Sequence, residues 1–216
     1  MPPYRWGIDS AAAADMNLFE CVVDNFGYPD YWGRYLTTVP GVSEGLSEEE
    51  IRFLRGSGVR IMPIYNVFRQ SVIYARGKED ARRAIRNARR LGIRQGTVIF
   101  ANVEHFFNVD AGWIQGWVDE MYPSGYKPGF YHDPVRGQFS DAYCQAIEES
   151  DRVRTQSILW SAEPEPGVTT RANKPEFNPA TPPCEANVWA WQYGRDADEC
   201  PIDTNLIDQR LFDDLW

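Results

Sequence analysis

Residues 78–102 read KEDARRAIRNARRLGIRQGTVIFAN, and this stretch contains the two patterns that decide the fold. Its first half places small apolar side chains at helical spacing on one side and arginines on the other, which predicts an amphipathic helix over Lys78–Leu91. Its second half ends in the uncharged run Thr97–Asn102, TVIFAN, which predicts a buried strand. A helix that leads into a buried strand is typical of the α/β class.

The same alternation continues on both sides of this unit. Helix patterns occupy five of the intervals between strands. Besides Lys78–Leu91, they are Ala12–Phe26, the segment from Ser47 to Gly56, Ala111–Glu120 and Ser140–Ser150. The predicted strands are Arg5–Asp9, Tyr31–Leu36, Val59–Tyr65, Thr97–Asn102, Lys127–Tyr131, Ser157–Ser161, Val188–Tyr193 and Pro201–Asn205. Eight strands in this order predict a parallel (β/α)8 barrel of the TIM-barrel type, with residues 1–216 as one small domain.

A doubly wound open sheet is the alternative fold for the same order of elements. That fold usually carries a glycine-rich phosphate loop after its first strand, but here Asp9 and Ser10 lead into four alanines. The sequence therefore predicts no nucleotide and no other cofactor.

Composition excludes several classes of protein. The 216 residues are 43% hydrophobic and 25% charged, which is ordinary for a globular protein, and no apolar run is long enough to cross a membrane. The net charge of −9 disfavours nucleic acid and anionic membranes as partners. The arginines of Lys78–Leu91 are therefore expected to face solvent. The first residues, MPPYRWGIDS, do not have the pattern of a signal peptide.

The four cysteines, Cys21, Cys144, Cys184 and Cys200, have no spacing typical of a metal site. Two alternatives remain open for them. In an oxidising compartment, Cys184 and Cys200 are expected to form a disulfide bond that pins the proline-rich loop Glu163–Pro183 to the eighth strand. In a reducing compartment, all four are expected to be buried thiols.

Polar and aromatic side chains follow the predicted strands, at the barrel end where active sites of this fold lie. Carboxyl groups can move protons at a glycosidic oxygen, and aromatic rings can stack on sugars, so the set predicts a carbohydrate site. Its members include Asp9, Tyr65, Asn102, Glu104, Tyr131, Trp191, Gln192, Tyr193, Asp203 and Asn205. The two histidines, His105 and His132, match no metal-binding motif, so no metal ligand is predicted.

Asn102 and Glu104 are two residues apart at the end of the clearest strand, so both are expected to face the barrel mouth. Partial burial would let Glu104 hold a proton near neutral pH and act as a general acid. The competing interpretation is that Glu104 is simply the first exposed residue after a strand. In the same way, Asp9 could cap the helix that follows it, and Asp203 could be an acid in a loop.

Six motifs carry a family resemblance, in the order WGIDS, GVRIMPIYN, NVE, LWSAEP, VWAWQYG and PIDTN. Together they resemble the glycoside hydrolase-like barrel domain catalogued as domain of unknown function 1906. More distantly, they resemble the lysozymes of glycoside hydrolase family 25. The resemblance extends from Trp6 to about Asn205.

The resemblance to these lysozymes implies a barrel that cleaves the bond after N-acetylmuramic acid in peptidoglycan. It implies that Glu104 is the general acid of an Asp-x-Glu pair, and that Asp9 and Asp203 match acids of the first and last strands. Asn102 departs from the pattern, since the family has an aspartate there. An amide cannot carry negative charge, although it can form hydrogen bonds to an N-acetyl group.

We therefore expect a glycosidase that acts on bacterial cell-wall polysaccharide of the peptidoglycan type. Glu104 would be the general acid, Asp9 and Asp203 would stabilise charge or position water, and the three carboxyl groups should lie within about 10 Å of each other. The expected sugar-binding residues are Asn102, Tyr65, Tyr131, Trp191, Gln192 and Tyr193. The alternative is a non-catalytic glycan-binding or cell-envelope domain on the same barrel.

In either case the expected partner is a polysaccharide, bound by a monomer. The expected location is extracellular or in the cell envelope, with the cytoplasm as the alternative.

Overall fold

Eight strands close into a single barrel in the computed structural model, which describes residues 4–216. The strands are β1 (Tyr4–Asp9), β2 (Tyr31–Tyr35), β3 (Arg60–Tyr65), β4 (Val98–Asn102), β5 (Lys127–His132), β6 (Ile158–Ser161), β7 (Val188–Gly194) and β8 (Asp203–Asp208). Each strand pairs with the next in chain order, and β8 pairs with β1. The prediction of an α/β barrel is confirmed.

Helices surround the barrel, and all five predicted helices are present. They are α1 (Met16–Asn25), α2 (Glu48–Gly56), α3 (Tyr74–Arg90), α4 (Ala111–Met121) and α5 (Phe139–Glu149), followed by α6 (Asp151–Gln156) and α7 (Gln209–Asp213), which the sequence patterns did not predict. α1 begins at Met16 rather than Ala12 because the Asp15 side chain accepts a hydrogen bond from the Leu18 amide and caps the helix there. Within residues 4–216, no helix is long and apolar enough to span a bilayer.

The direction of β8 corrects the prediction of a fully parallel sheet. β1 to β7 run parallel, but β8 is antiparallel to both β7 and β1. Only residues 195–202 connect β7 to β8, whereas a parallel crossover needs a dozen or more residues. As a result, β8 starts at the barrel end where the other strands finish, and Asp203 pairs in register with Asp9.

Two hydrophobic layers result from the alternation of side chains along the strands. One fills the barrel interior and includes Met62, Ile64, Phe100 and Trp160. The other lies between the barrel and the helices. Because neighbouring residues of a strand point to opposite faces, each strand contributes to both layers.

The cysteines form two disulfide bonds, Cys21–Cys200 and Cys144–Cys184, with Cα–Cα distances of 6.1 and 5.7 Å. Both the predicted Cys184–Cys200 bond and the alternative of four thiols are therefore wrong. Although Cys184 and Cys200 are close in sequence, Cys184 lies against α5 and Cys200 lies against α1. By chain entropy, loops of 179 and 40 residues correspond to stabilisation of about 5 and about 4 kcal/mol.

Candidate active site at the barrel mouth

A cavity of about 170 Å³ opens at the end of the barrel where β1 to β7 finish. Its lining comprises Asp9, Tyr35, Ile64, Asn102, Glu104, Tyr131, Trp160, Gln192, Arg195 and Asp203. Six of these residues are among the nine that the sequence predicts as catalytic or sugar-binding residues. The carboxyl groups of β1, β8 and the loop after β4 therefore face the same small space.

Three of the predicted sugar-binding residues, Tyr65, Trp191 and Tyr193, do not line this cavity. Each is at most 2% exposed and belongs to the layer between the barrel and the helices. In β3, the inward position is taken by Ile64, and in β7 it is taken by Gln192. Adjacent residues of a strand point to opposite faces, so none of these three side chains faces this cavity together with its inward neighbour, and their role in sugar binding stays a prediction.

These three aromatic side chains instead stabilise the outer layer. The ring of Tyr65 stacks on that of Trp117 with centroids 6.0 Å apart. The hydroxyl of Tyr193 accepts a hydrogen bond of 3.0 Å from Trp6 Nε1. Trp191 Nε1 donates to the backbone oxygen of Pro164, at 2.9 Å, and so holds the start of the β6–β7 loop.

Four residues that line the cavity were not predicted from the sequence, namely Tyr35, Ile64, Trp160 and Arg195. Strand alternation could have indicated the first three, since each lies on the same face as another interior residue of its strand. Arg195 gives no such signal, because it follows β7 in a loop whose path depends on the return of the chain into β8.

The carboxyl groups of Asp9 and Asp203 lie next to each other. Gln192 Nε2 donates a hydrogen bond of 3.0 Å to Oδ2 of each, so these two oxygens are no farther apart than twice that distance. Asp9 Oδ2 also accepts a 2.7 Å hydrogen bond from Asn205 Nδ2. Asp203 Oδ1 accepts one of 2.8 Å from the backbone N–H of Asp196.

This arrangement keeps a proton on the pair near neutral pH. Burial raises the pKa of Asp9 to about 6, although hydrogen bonds from Asn205 and Gln192 oppose the rise. Burial, together with the charge of Asp9, raises the pKa of Asp203 to about 8. Two unit charges 6 Å apart repel by about 3 kcal/mol at an effective dielectric constant of 20, so double ionisation is unfavourable.

The raised pKa of Asp203 leads to a prediction about stability. In the unfolded chain an aspartate has a pKa of about 3.9, so Asp203 binds its proton more tightly in the folded state. The free-energy contribution of Asp203 therefore decreases as pH rises from about 4 to about 8, by at most about 1.4 kcal/mol per pH unit. We expect the unfolding free energy of Asp203→Asn to fall less steeply than that of the wild type between pH 6.5 and 8.

Urea unfolding at several pH values in this window measures both slopes. Asp141→Asn serves as the control, because Asp141 is an exposed residue of α5 and should leave the wild-type slope unchanged. The window starts at pH 6.5 because burial lowers the pKa of His132 to about 4, which gives a slope of opposite sign at lower pH. Equal slopes for Asp203→Asn and the wild type would contradict the raised pKa.

Glu104 lies at the cavity as a half-buried side chain. Asn102 Nδ2 donates a hydrogen bond of 2.9 Å to Glu104 Oε1, so both side chains face the mouth. Burial and the charges of Asp9, Glu104 and Asp203 raise the pKa of Tyr35 well above its ordinary value. Its hydroxyl is therefore neutral and can donate a hydrogen bond to a ligand.

Neither histidine belongs to the cavity lining. His132 is completely buried, and its ring lies against that of Phe139 with centroids 4.4 Å apart, whereas His105 is exposed. Within the described part of the chain, no group of three His, Cys, Asp or Glu side chains is placed to hold a metal ion.

Comparison with known proteins identifies the family. Residues 27–180 match the family described as Rv2525c-like, glycoside hydrolase-like domain. The chain belongs to that family. The resemblance stated from the sequence motifs is thereby confirmed, and this glycoside hydrolase-like domain also shares its barrel with family 25 enzymes.

Three solved structures are similar to the domain. A crystal structure of an uncharacterized protein of B. stearothermophilus is 53% identical, with a TM-score of 0.97 over 98% of this chain and 100% of that one. The Tat-secreted protein Rv2525c of Mycobacterium tuberculosis has a TM-score of 0.62 at 16% identity, over 94% and 95% of the two chains. A family 25 glycosyl hydrolase of Bacillus anthracis has a TM-score of 0.60 at 14% identity, over 98% and 94%.

The similarity to Rv2525c and to the family 25 glycosyl hydrolase shows a shared fold.

One curated relative, the uncharacterized protein FadG of Bacillus subtilis (strain 168), is 32% identical over 78 residues, or 34% of this chain. The match spans 14% of that longer protein.

Proposed function

We propose that this domain hydrolyses an N-acetylated cell-wall glycan of the peptidoglycan type, with Glu104 as general acid. The observation that carries the proposal is the convergence of Asp9, Glu104 and Asp203 on one cavity at the barrel mouth. Glycoside hydrolysis uses one carboxyl group to protonate the leaving oxygen and a second to stabilise positive charge or activate water. The cavity supplies both from different strands.

Glu104 suits the first role because it lies at the rim and is oriented by Asn102. In the proposed reaction its proton passes to the glycosidic oxygen as the C–O bond breaks. Water then attacks the anomeric carbon and returns a proton to the Glu104 carboxylate. The carboxylate of Asp9, which is the more acidic member of its pair, would face the positive charge that develops on the sugar.

Two neutral groups at the cavity support an N-acetylated substrate. The Tyr35 hydroxyl and the Asn102 amide can both form hydrogen bonds to an acetamido group. The shared fold with a family 25 glycosyl hydrolase supports a glycan as the substrate.

We also propose that the domain acts outside the cytoplasm. Its two disulfide bonds are typical of exported proteins, because cytosolic reductants keep most thiols reduced. The related Rv2525c is described as Tat-secreted, which agrees with an exported domain.

A non-catalytic glycan-binding domain is the second candidate function. Asn102 favours it, because an amide at this position removes the negative charge that family 25 lysozymes place there. The two functions differ in one measurable result, namely whether a bound glycan is cut.

Asn102→Asp is expected to increase glycan cleavage by about tenfold to a hundredfold. The added carboxyl would meet Glu104 at the 2.9 Å contact that the amide now makes, so the two would share a proton and together carry one negative charge. Reducing ends released from a peptidoglycan suspension measure cleavage, and sedimentation with the same material measures binding. If both proteins bind and neither releases reducing ends, the domain is a binding module.

A further inference from the structure

We propose that Gln192 is a positioning residue that holds Asp9 and Asp203 as a carboxyl pair sharing one proton, and that Arg195 determines which way Gln192 points. The pair then forms a second acid–base unit beside Glu104. Its role in hydrolysis rests on the proposed function, whereas its shared proton can be measured with no glycan present.

The side-chain amide of Gln192 is buried, and every one of its hydrogen-bonding positions is used. Its nitrogen donates one hydrogen to Asp9 Oδ2 and the other to Asp203 Oδ2, both at 3.0 Å. Its oxygen accepts from the Tyr131 hydroxyl at 2.8 Å and from Arg195 Nε at 3.0 Å. An amide offers two donor hydrogens and two acceptor lone pairs, so the network is complete.

Arg195 decides the orientation of this amide. A guanidinium group can only donate hydrogen bonds, so it requires the oxygen of Gln192 on its side. The Tyr131 hydroxyl can donate or accept, so it tolerates either orientation of the amide. Arg195 is itself held by the backbone oxygen of Ala162, at 3.3 Å, and by Glu165, at 3.2 Å.

The surroundings of the two carboxyl groups differ in charge. Asn205 Nδ2 donates to Asp9 Oδ2, and Asn205 Oδ1 is fixed by a 3.0 Å hydrogen bond from Trp160 Nε1. Asp9 therefore receives two side-chain N–H donors, which favour its charged form. Asp203 also receives two N–H donors, from Gln192 and from the backbone of Asp196, but the negative charges of Asp9 and Asp196 disfavour its ionisation, so the proton resides mainly on Asp203.

Other charged and titratable groups also act on the pair. They are Tyr31, Arg34 and Tyr35 from β2, Tyr131 from β5, and Arg195 and Asp196 after β7, and Glu104 lines the same cavity. The cations of this set are Arg34 and Arg195, and Arg195 lowers the pKa of both carboxyl groups, whereas Arg34 acts on Asp9. Arg195 is therefore the cation whose removal changes the pair most directly.

The shared proton gives the two carboxyls different tasks. The Asp9 carboxylate stabilises positive charge on the sugar, and the protonated Asp203 donates a hydrogen bond to a sugar oxygen. Loss of the proton at alkaline pH would place two negative charges together and remove that donor. Cleavage by the wild type should therefore decline as the pair loses its proton, near pH 8.

Carbon-13 NMR of the aspartate carboxyl groups, without any glycan, tests the shared proton. Asp9→Asn and Asp203→Asn identify the two signals. In the wild type, the signals are expected to titrate with midpoints near pH 6 and pH 8. Asp9→Asn should shift the midpoint of Asp203 downward because the neighbouring charge is gone, whereas Asp203→Asn should leave the midpoint of Asp9 near pH 6, since Asp203 is already neutral there. Two midpoints near pH 4 in the wild type would overturn the proposal.

Arg195→Met tests the orienting role. Loss of its charge and of its fixed donor is expected to raise both midpoints by about one pH unit, and Arg195→Lys should restore most of the change. Arg136→Met is the matched control, because Arg136 is also a rim arginine paired with carboxylates, Asp133 and Glu163, but lies outside the cavity lining. Equal midpoints in Arg195→Met and Arg136→Met would overturn the role of Arg195.

If Arg195→Met fails to fold, Gln192→Met tests the positioning role of Gln192 itself, since it removes both amide donors and should raise both midpoints. The proposal and the proposed function fail separately. Elevated midpoints with no release of reducing ends support the pair and refute hydrolysis. Cleavage with midpoints near pH 4 supports hydrolysis and refutes the pair.

Discussion

Glu104→Gln is expected to lower the rate of glycan cleavage by at least about a hundredfold, since general acid catalysis typically contributes a factor of 10² to 10⁴. The amide oxygen of glutamine can still accept the hydrogen bond that Asn102 donates to Oε1. The position of the side chain should therefore persist, and with it the fold and the binding of wall material. What the variant loses is the proton that the leaving oxygen needs.

Glu163→Gln is the matched control for this experiment. Glu163 is also a glutamate at the barrel mouth, but it pairs with Arg136 and does not line the cavity. Its amide variant should cleave glycan within about twofold of the wild-type rate. The release of reducing ends, sedimentation with wall material and the thermal unfolding midpoint are measured for all three proteins. A Glu104→Gln variant that digests as fast as the wild type would exclude Glu104 as the acid.

Arg34→Leu is expected to lower the free energy of unfolding by about 3 to 5 kcal/mol, the cost of breaking a buried ion pair by removing one partner. Arg34 is fully buried, and its Nε lies 2.5 Å from Glu50 Oε1. It also donates to the backbone oxygens of Ser10, at 2.6 Å, and Glu44, at 2.9 Å. The leucine would leave the charge of Glu50 and both backbone oxygens without these partners.

The loss of unfolding free energy should be large only where the ion pair is buried, and an exposed ion pair tests this. Arg83 and Glu79 form an exposed pair on α3, so Arg83→Leu should change the free energy of unfolding by about 0.5 kcal/mol or less. The double variant Arg34→Leu/Glu50→Leu should recover part of the loss, because no buried charge remains unpaired. Urea unfolding followed by circular dichroism measures all variants. A loss below 1 kcal/mol for Arg34→Leu would show that Glu50 finds other partners.

Local patterns predicted most of the secondary structure because each element depends on its own residues. Ser47 caps the N-terminus of α2 as predicted, and its hydroxyl accepts a hydrogen bond from the Glu50 amide at 3.1 Å. The small apolar residues of α3 face the barrel while its arginines remain exposed. α6 escaped prediction because a turn at Ser150 separates it from α5 by a single residue.

The sequence predicted those residues of the candidate site whose position depends only on where a strand ends. Asp9, Asn102 and Glu104 follow directly from the rule that active sites lie at the carboxyl ends of barrel strands. Trp191, Gln192 and Tyr193 could not all face the cavity, since consecutive side chains alternate. Alternation separates Gln192 from its neighbours, but the packing of both layers determines which of the two faces points inward.

Local patterns were enough to predict the α/β class, the number of strands, the surrounding helices and the acids at the strand ends, because periodicity and apolar runs act over a few residues. Local patterns could not predict the direction of β8, the partners of the four cysteines or the face of β7 that lines the cavity. Each of these depends on contacts between segments far apart in the chain. Asp9 and Asp203 are 194 positions apart, yet they pair in register across β1 and β8 because the barrel closes there.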